Sequence, residues 1–252
     1  MCLIVFAWDV HPKYKLILAA NRDEFYHRPT APLGYWEDQP EILGGRDLEA
    51  GGSWMAVNTK GKFAAVTNYR DLKNIKKDAT SRGEIPTNFL TQEISPMAYL
   101  EGIDSKASDY NGFNALIGDQ KELLHYSNYE NIIKAIQPGI YGLSNALLDT
   151  PWPKVKRAKE KFSNIIHNDW TTSELIKMME DDTLAQDAQL PDTGVPFDLE
   201  KGLSPMCIRM ENYGTRCTTV ITMDRVGQIN FTERSFPVGE RKDHTIAYSI
   251  QL

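Results

Sequence analysis

The sequence predicts an α+β fold built from packed layers. Apolar runs of strand length fill the beginning and end of the 252-residue chain, helical periodicity is concentrated in its middle, and strands do not alternate with helices as βαβ units would. No internal repeat or break in composition divides the chain, so residues 1–252 read as one domain.

Cys2 opens an apolar, partly β-branched run to Trp8, and Tyr14 to Ala20 returns as a second strand across a turn containing Pro12. A hairpin centred between His11 and Pro12 sets Cys2 opposite Asn21, with Arg22, Asp23 and Glu24 just beyond. Pro29 and Pro32 argue for an extended or loop segment over 27–32, and Gly44-Gly45 and Gly51-Gly52 bracket another loop. Ser53 to Asn58, a Thr59-Lys60-Gly61 turn and Lys62 to Asn68 form a second hairpin. Lys73, Lys76 and Lys77 lie in a polar stretch read as a solvated loop.

A short helix carries Phe89 and Leu90, and Ser95-Pro96 caps another. Phe113–Ile117 and Glu122–Tyr126 form a hairpin, and strands near Ile132 and Ile140 continue the pattern. The longest helix runs over about 151–168, with Val155, Ala158, Phe162 and Ile166 on its apolar face and its lysines and Arg157 opposite. Thr171 to Glu174 is a capping box for a helix through Met179. Residues 181–203, acidic and rich in Pro and Gly, read as a long loop and a candidate lid. Cys217–Met223, Val226–Phe236 and Thr245–Ile250 return to β-structure.

Composition narrows the function classes. The chain is 41% hydrophobic and 25% charged with a net charge of -6, which argues against a nucleic-acid surface. Three cysteines and no C-x-x-C pair suit a reducing compartment rather than a disulfide framework, zinc ribbon or covalent haem site. The apolar run after Cys2 is too short for a signal or membrane span, so the expectation is a cytoplasmic protein without stable membrane insertion. Five scattered histidines show no metal-ligand spacing.

Cys2 is the residue with chemistry to explain. Its small side chain permits removal of Met1, leaving a thiol and a free α-amine on one residue. An α-amine titrates at roughly 7.7–8.0 and can serve as a base, and the thiol needs such a base or a cation to become a nucleophile. Asp23 or Glu24 could hold that amine, Arg22 could tune the thiol or bind a carboxylate, and Asn68 could donate to an oxyanion. A buried structural cysteine and a loop ion-pair cluster fit the same residues. Tyr35, Trp36, Trp54, Trp152, Met206 and Met210 offer apolar material for a pocket.

Met1-Cys2, Asn21-Arg22-Asp23-Glu24, Trp54 to Asn58, Thr67-Asn68-Tyr69-Arg70, Ser81-Arg82-Gly83, Gly142-Leu143-Ser144-Asn145 with Pro151-Trp152-Pro153-Lys154, and Tyr213-Gly214-Thr215-Arg216 together resemble the NRDE-motif family, also called the Transport and Golgi organisation 2 family. The resemblance implies an N-terminal-nucleophile hydrolase-like fold, a four-layer αββα sandwich with Cys2 at the start of an inner strand. It also invites comparison with the choloylglycine hydrolase and penicillin acylase group, in which an R-N-x-D block follows the second strand. Asn68, Asn145 and Arg216 occupy places similar to that group's site residues, whereas Asn21-Arg22-Asp23-Glu24 departs from R-N-x-D and leaves open which carboxylate meets the amine.

The implied function is cleavage of a non-peptide carbon–nitrogen amide bond in a small molecule. Cys2, Arg22, Asp23, Asn68, Asn145 and Arg216 form the catalytic set, with Asn21, Glu24 and Arg70 binding substrate. No metal or organic cofactor is required. The family is also associated with Golgi organisation, secretion and intracellular haem and lipid handling, which implies an alternative: a non-enzymatic carrier of haem or lipid.

Overall fold

The computed structural model describes residues 2–237, 239 and 242–252; Met1, whose removal the chemistry above requires, lies outside them. Among the described residues, thirteen strands form two antiparallel sheets. One contains, in spatial order, β3 (Thr30–Tyr35), β4 (Ile42–Asp47), β5 (Met55–Asn58), β6 (Phe63–Asn68), β7 (Phe113–Gly118), β8 (Leu123–Ser127) and β9 (Ile132–Ala135). The other runs β10 (Gly139–Leu143), β1 (Cys2–Trp8), β2 (Tyr14–Phe25), β11 (Tyr213–Asp224), β12 (Gln228–Ser235) and β13 (His244–Gln251).

Alternation along each strand builds the layers. Ile4, Phe6, Leu18 and Phe231 of one sheet meet Val57, Phe63 and Leu116 of the other in a core between them. Each such side chain contributes about 1.5–3 kcal/mol on burial. The opposite face of the seven-stranded sheet packs under α1 (Glu84–Thr91) and α2 (Pro96–Asp104), where Ile85, Phe89 and Leu100 are buried. Leu3, Val5, Ile17 and Ala19 face α3 (Pro153–Ile166) and α4 (Thr172–Met179) through Val155, Phe162 and Leu175. The order is helix, sheet, sheet, helix: a four-layer αββα sandwich.

Several sequence expectations are corrected. The first hairpin pairs Cys2 with Arg22 and Leu3 with Asn21, one residue from the expected register. Because strand faces alternate, Arg22 shares the inter-sheet face with Cys2, and Asn21 turns toward the helices. The segment near Pro32, expected as extended or loop, is an extended strand, and the loop expected at Gly44 is a strand as well. Pro32 is tolerated because β3 is an edge strand, with an irregularity between Ala31 and Gly34. Gly44 and Gly45 are required by close packing: a Cβ on Gly44 would lie 2.6 Å from Ala56 Cβ, and one on Gly45 would lie 2.1 Å from the Trp54 ring. The second hairpin begins at Met55, not Ser53. Residues 181–203 contain a short helix, α5 (Phe197–Gly202), rather than continuous loop. Lys154, assigned by helical spacing to the solvent face, is 2% exposed.

A buried histidine gives this core a pH dependence. His125 on β8 places Nε2 3.3 Å from Asn114 Oδ1, and Nδ1 makes no hydrogen bond among the described residues. Burial lowers its pKa from 6.5 to about 4. The unfolded chain therefore binds the proton first as pH falls, so stability complete above pH 6.5 is lost toward pH 4, by about 3 kcal/mol. His125→Gln should remove that increment, seen as a smaller drop in denaturant midpoint between pH 7 and pH 4.

Candidate functional site

The start of β1, the end of β2 and the start of β11 converge at one end of the six-stranded sheet. Cys2 is followed directly by buried Leu3 and Ile4, so the strand is anchored close to its first described residue. The Ser144 hydroxyl donates to the Cys2 carbonyl at 3.0 Å, fixing the strand end to the turn after β10. Cys2 borders a small void shared with Arg22, Trp54, Met55 and Val66, consistent with a thiol on the inter-sheet side. Burial pushes its pKa up, and the Asp23 charge adds to this; a hydrogen bond from the Asp23 backbone N–H and the Arg22 charge act in the opposite sense without cancelling it. The thiol is therefore not pre-ionised, and nucleophilic work would require a base at the moment of reaction.

Arg22 is held from three sides. Its guanidinium carbon sits 4.2 Å from the centre of the Trp54 ring, Nη1 donates to Thr30 Oγ1 at 3.0 Å, and Nη2 lies 3.7 Å from Asp47. The glycine at 45 permits this, since Trp54 fills the space its side chain would take. Asp23 is buried, its Oδ1 accepting from Thr215 Oγ1 at 2.7 Å and its carbonyl from the Tyr213 hydroxyl at 3.0 Å. Burial raises the Asp23 pKa, whereas the Lys154 charge and the Thr215 hydrogen bond lower it.

The other expected residues divide into two groups. Glu24, Asn68 and Arg70 line an open cleft of about 600 Å³, with Phe25, Leu199 and Met210 among its apolar walls. Asn145 is buried behind that wall; its Nδ2 donates to the Asn68 carbonyl at 2.8 Å and its own carbonyl accepts from the Arg70 N–H at 2.7 Å. It positions the Asn68–Arg70 turn. Arg216, in the β11 irregularity between Thr215 and Cys217, donates through Nη1 to the carbonyls of Phe25 and Arg28. It supports the turn after β2. Asn21 is committed to the helical layer, donating to the carbonyls of Met179 and Met206 and accepting from Thr218. Its expected substrate contact has no place in that geometry.

Of the apolar residues expected in a pocket, Met210 lines the cleft. Trp36 and Met206 belong to cores, Tyr35 packs edge-on to Tyr248, and Trp54 and Trp152 cover Arg22 and Arg70.

Sequence reasoning missed Lys154, Glu200, Tyr213 and Arg82. Arg70 Nη1 and Glu200 Oε1 form a buried pair at 2.6 Å, with Glu200 Oε2 accepting from Thr193. Arg82 lines the cleft and donates to the Gly112 carbonyl. Lys154, Arg82 and Tyr213 lay inside the sequence blocks quoted above; Glu200, in a segment without periodicity, gave no signal. Among the described residues, no group of three or more His, Cys, Asp or Glu side chains could hold a metal ion, and no helix is long and apolar enough to cross a membrane.

Residues 1–237 match the family model described as Transport and Golgi organisation 2. The Homo sapiens Transport and Golgi organization protein 2 homolog is 38% identical over 257 residues, covering 93% of each chain. The Drosophila melanogaster Transport and Golgi organization protein 2 is 30% identical, covering 93% of this chain and 92% of its own. A solved Caenorhabditis elegans N-acylethanolamine-hydrolyzing acid amidase ortholog aligns over 87% of this chain and 92% of its own, at 9% identity and a TM-score of 0.45.

Proposed function

The chain belongs to the Transport and Golgi organisation 2 family, and from that premise we propose that it is a cysteine N-terminal-nucleophile amidohydrolase acting on a small, partly apolar amide. The observation that carries this reading is the position of Cys2: at the start of an inner strand, opposite Arg22, accepting from the Asp23 backbone N–H and bordering a small void between the sheets. After Met1 is removed, the α-amine takes the thiol proton as the sulfur attacks the amide carbon. The Asn68 amide donates to the oxyanion. The carbon–nitrogen bond then breaks, the leaving amine takes the proton from the α-ammonium, and water hydrolyses the thioester with the same amine as base. Asp23 orients the amine, and Arg22, Asn145 and Arg216 hold the surrounding turns. The protonated state of the resting thiol supports a base built into the nucleophilic residue.

A second reading has its own support: Cys2 borders a separate small void, whereas the apolar cleft is lined by Asn68, Arg70 and Tyr213. Such a cleft also suits a carrier of a hydrophobic molecule such as haem or lipid. Site-resolved labelling with an amide-mimicking electrophile separates the two. Hydrolysis requires Cys2 to react faster than Cys207 and Cys217 in the same molecule; equal rates, together with a shifted haem Soret band on titration, would favour the carrier.

A further inference from the structure

One arginine in the cleft has no anion to answer it. Arg82, in the turn before α1, lines the cleft and donates from Nη1 to the Gly112 carbonyl at 2.9 Å. Gly112 lines the cleft as well, so this bond fixes the guanidinium to the cleft wall. Its Nε and Nη2 donate to no group among the described residues, and neither is sealed from solvent. Among the described residues, eight other arginines each have a carboxylate oxygen within 3.8 Å. Arg216 donates to two backbone carbonyls. Arg82 has one carbonyl and no ion pair. Glu24, Asp71 and Glu211 share the cleft without pairing with it. Glu24 Oε1 accepts from the Phe25 N–H, and Asp71 Oδ2 accepts from Asn74 Nδ2 and the Tyr129 hydroxyl. A partly desolvated guanidinium with unused donors is costly until an anion completes it.

The walls around this cation are apolar. Phe25, Leu72 and Ile75 line the same cleft at 49%, 52% and 57% exposure, large hydrophobic side chains left in water. The surface therefore matches a molecule with an apolar body and one negative end. We propose that Arg82 is the anion-recognising residue of the cleft and that the molecule bound there is an apolar monocarboxylate. A planar guanidinium offers parallel N–H groups to both oxygens of a carboxylate. The three carboxylates on the lining repel a doubly charged phosphate head more than a single charge, which selects the monoanion. Arg82 decides which molecules enter the cleft, whether they are then cut or carried, so the inference goes beyond the hydrolase reading and does not rest on it.

The test is equilibrium binding to the full chain at pH 7, by calorimetry, of octanoate, 1-octanol and octyl phosphate. None of the three contains an amide bond. Octanoate should bind at least about 10-fold tighter than 1-octanol, and tighter than octyl phosphate. Arg82→Gln should weaken octanoate by about 10-fold and leave 1-octanol unchanged. Arg82→Lys should retain part of the preference, since the charge survives without the planar fork. If Arg82→Gln does not fold, the ranking of the three probes on the unsubstituted protein decides by itself. Undetectable octanoate binding, equal affinity for octanoate and 1-octanol, or tightest binding of octyl phosphate would overturn the inference. So would a preference for octanoate that survives in Arg82→Gln, or an equal loss of both octanoate and 1-octanol there, which is the mark of a purely structural role. None of these results depends on whether Cys2 reacts, so failure here and failure of the hydrolase reading are distinct.

Discussion

Cys2→Ala is expected to abolish hydrolysis of acyl-amide substrates, by at least about 10³-fold in kcat, while leaving the fold intact. Alanine is as small as cysteine at the second position, so Met1 excision proceeds and the α-amine is retained. The loss then reports the sulfur alone. The substituted methyl group faces the small void beside Trp54 and Met55, and the strand stays anchored by Leu3, Ile4 and the Ser144 contact to the backbone carbonyl. The melting temperature should therefore stay close to that of the unsubstituted protein. Steady-state kinetics on a panel of acyl amides, with the melting curve beside them, checks both halves. Activity surviving in Cys2→Ala would remove the thiol from the mechanism.

Glu200→Ala is expected to have the largest effect on stability. Both members of the Arg70–Glu200 pair are nearly excluded from solvent, at 3% and 5% side-chain exposure. Removing the carboxylate takes the Glu200 charge from a guanidinium already desolvated and stacked 4.7 Å from the Trp152 ring centre. Breaking such a pair costs about 3–5 kcal/mol. For a chain of this length that lowers the melting temperature by roughly 10 °C. The Thr193 contact to Glu200 is lost as well, so α5 and the segment before it should become sensitive to limited proteolysis. The exposed Lys60–Glu93 pair is the control: both side chains are mostly in water, and Glu93→Ala should leave the melting temperature unmoved. A thermal scan of the two variants decides between a structural latch and an incidental contact.

The layered α+β order was legible in the sequence because β5, β6, β7 and β8 are short, mostly apolar runs buried on both faces and their turns carry recognisable residues, such as Gly61 at φ +83°. The register of the first hairpin was not. Its turn holds Asp9 at φ +54° and closes through an Asp9 N–H to Lys15 carbonyl bond, an irregular geometry that composition does not encode. One residue of slip decided that Arg22, and not Asn21, stands opposite Cys2. Strands β3 and β4 were hidden because proline and glycine signal loops locally, while their meaning here is tertiary: an edge position for Pro32, and room for Ala56 and Trp54 at Gly44 and Gly45. Lys154 was hidden for the opposite reason. Its helix is amphipathic, and the Leu203 carbonyl that accepts from its Nζ arrives from a segment far along the chain. Asn68 and Arg70 at the end of β6 were legible and line the cleft, whereas the side chains of Asn145 and Arg216 bond the backbone of neighbouring turns.

The central claim is that Cys2 carries both nucleophile and base, and mass spectrometry of the amino-terminal peptide after brief exposure to an amide-mimicking electrophile tests it most directly. The account predicts a peptide that begins at Cys2 and bears the label on its thiol. A peptide that still begins at Met1, or one that begins at Cys2 and remains unlabelled while Cys207 or Cys217 reacts, would contradict it.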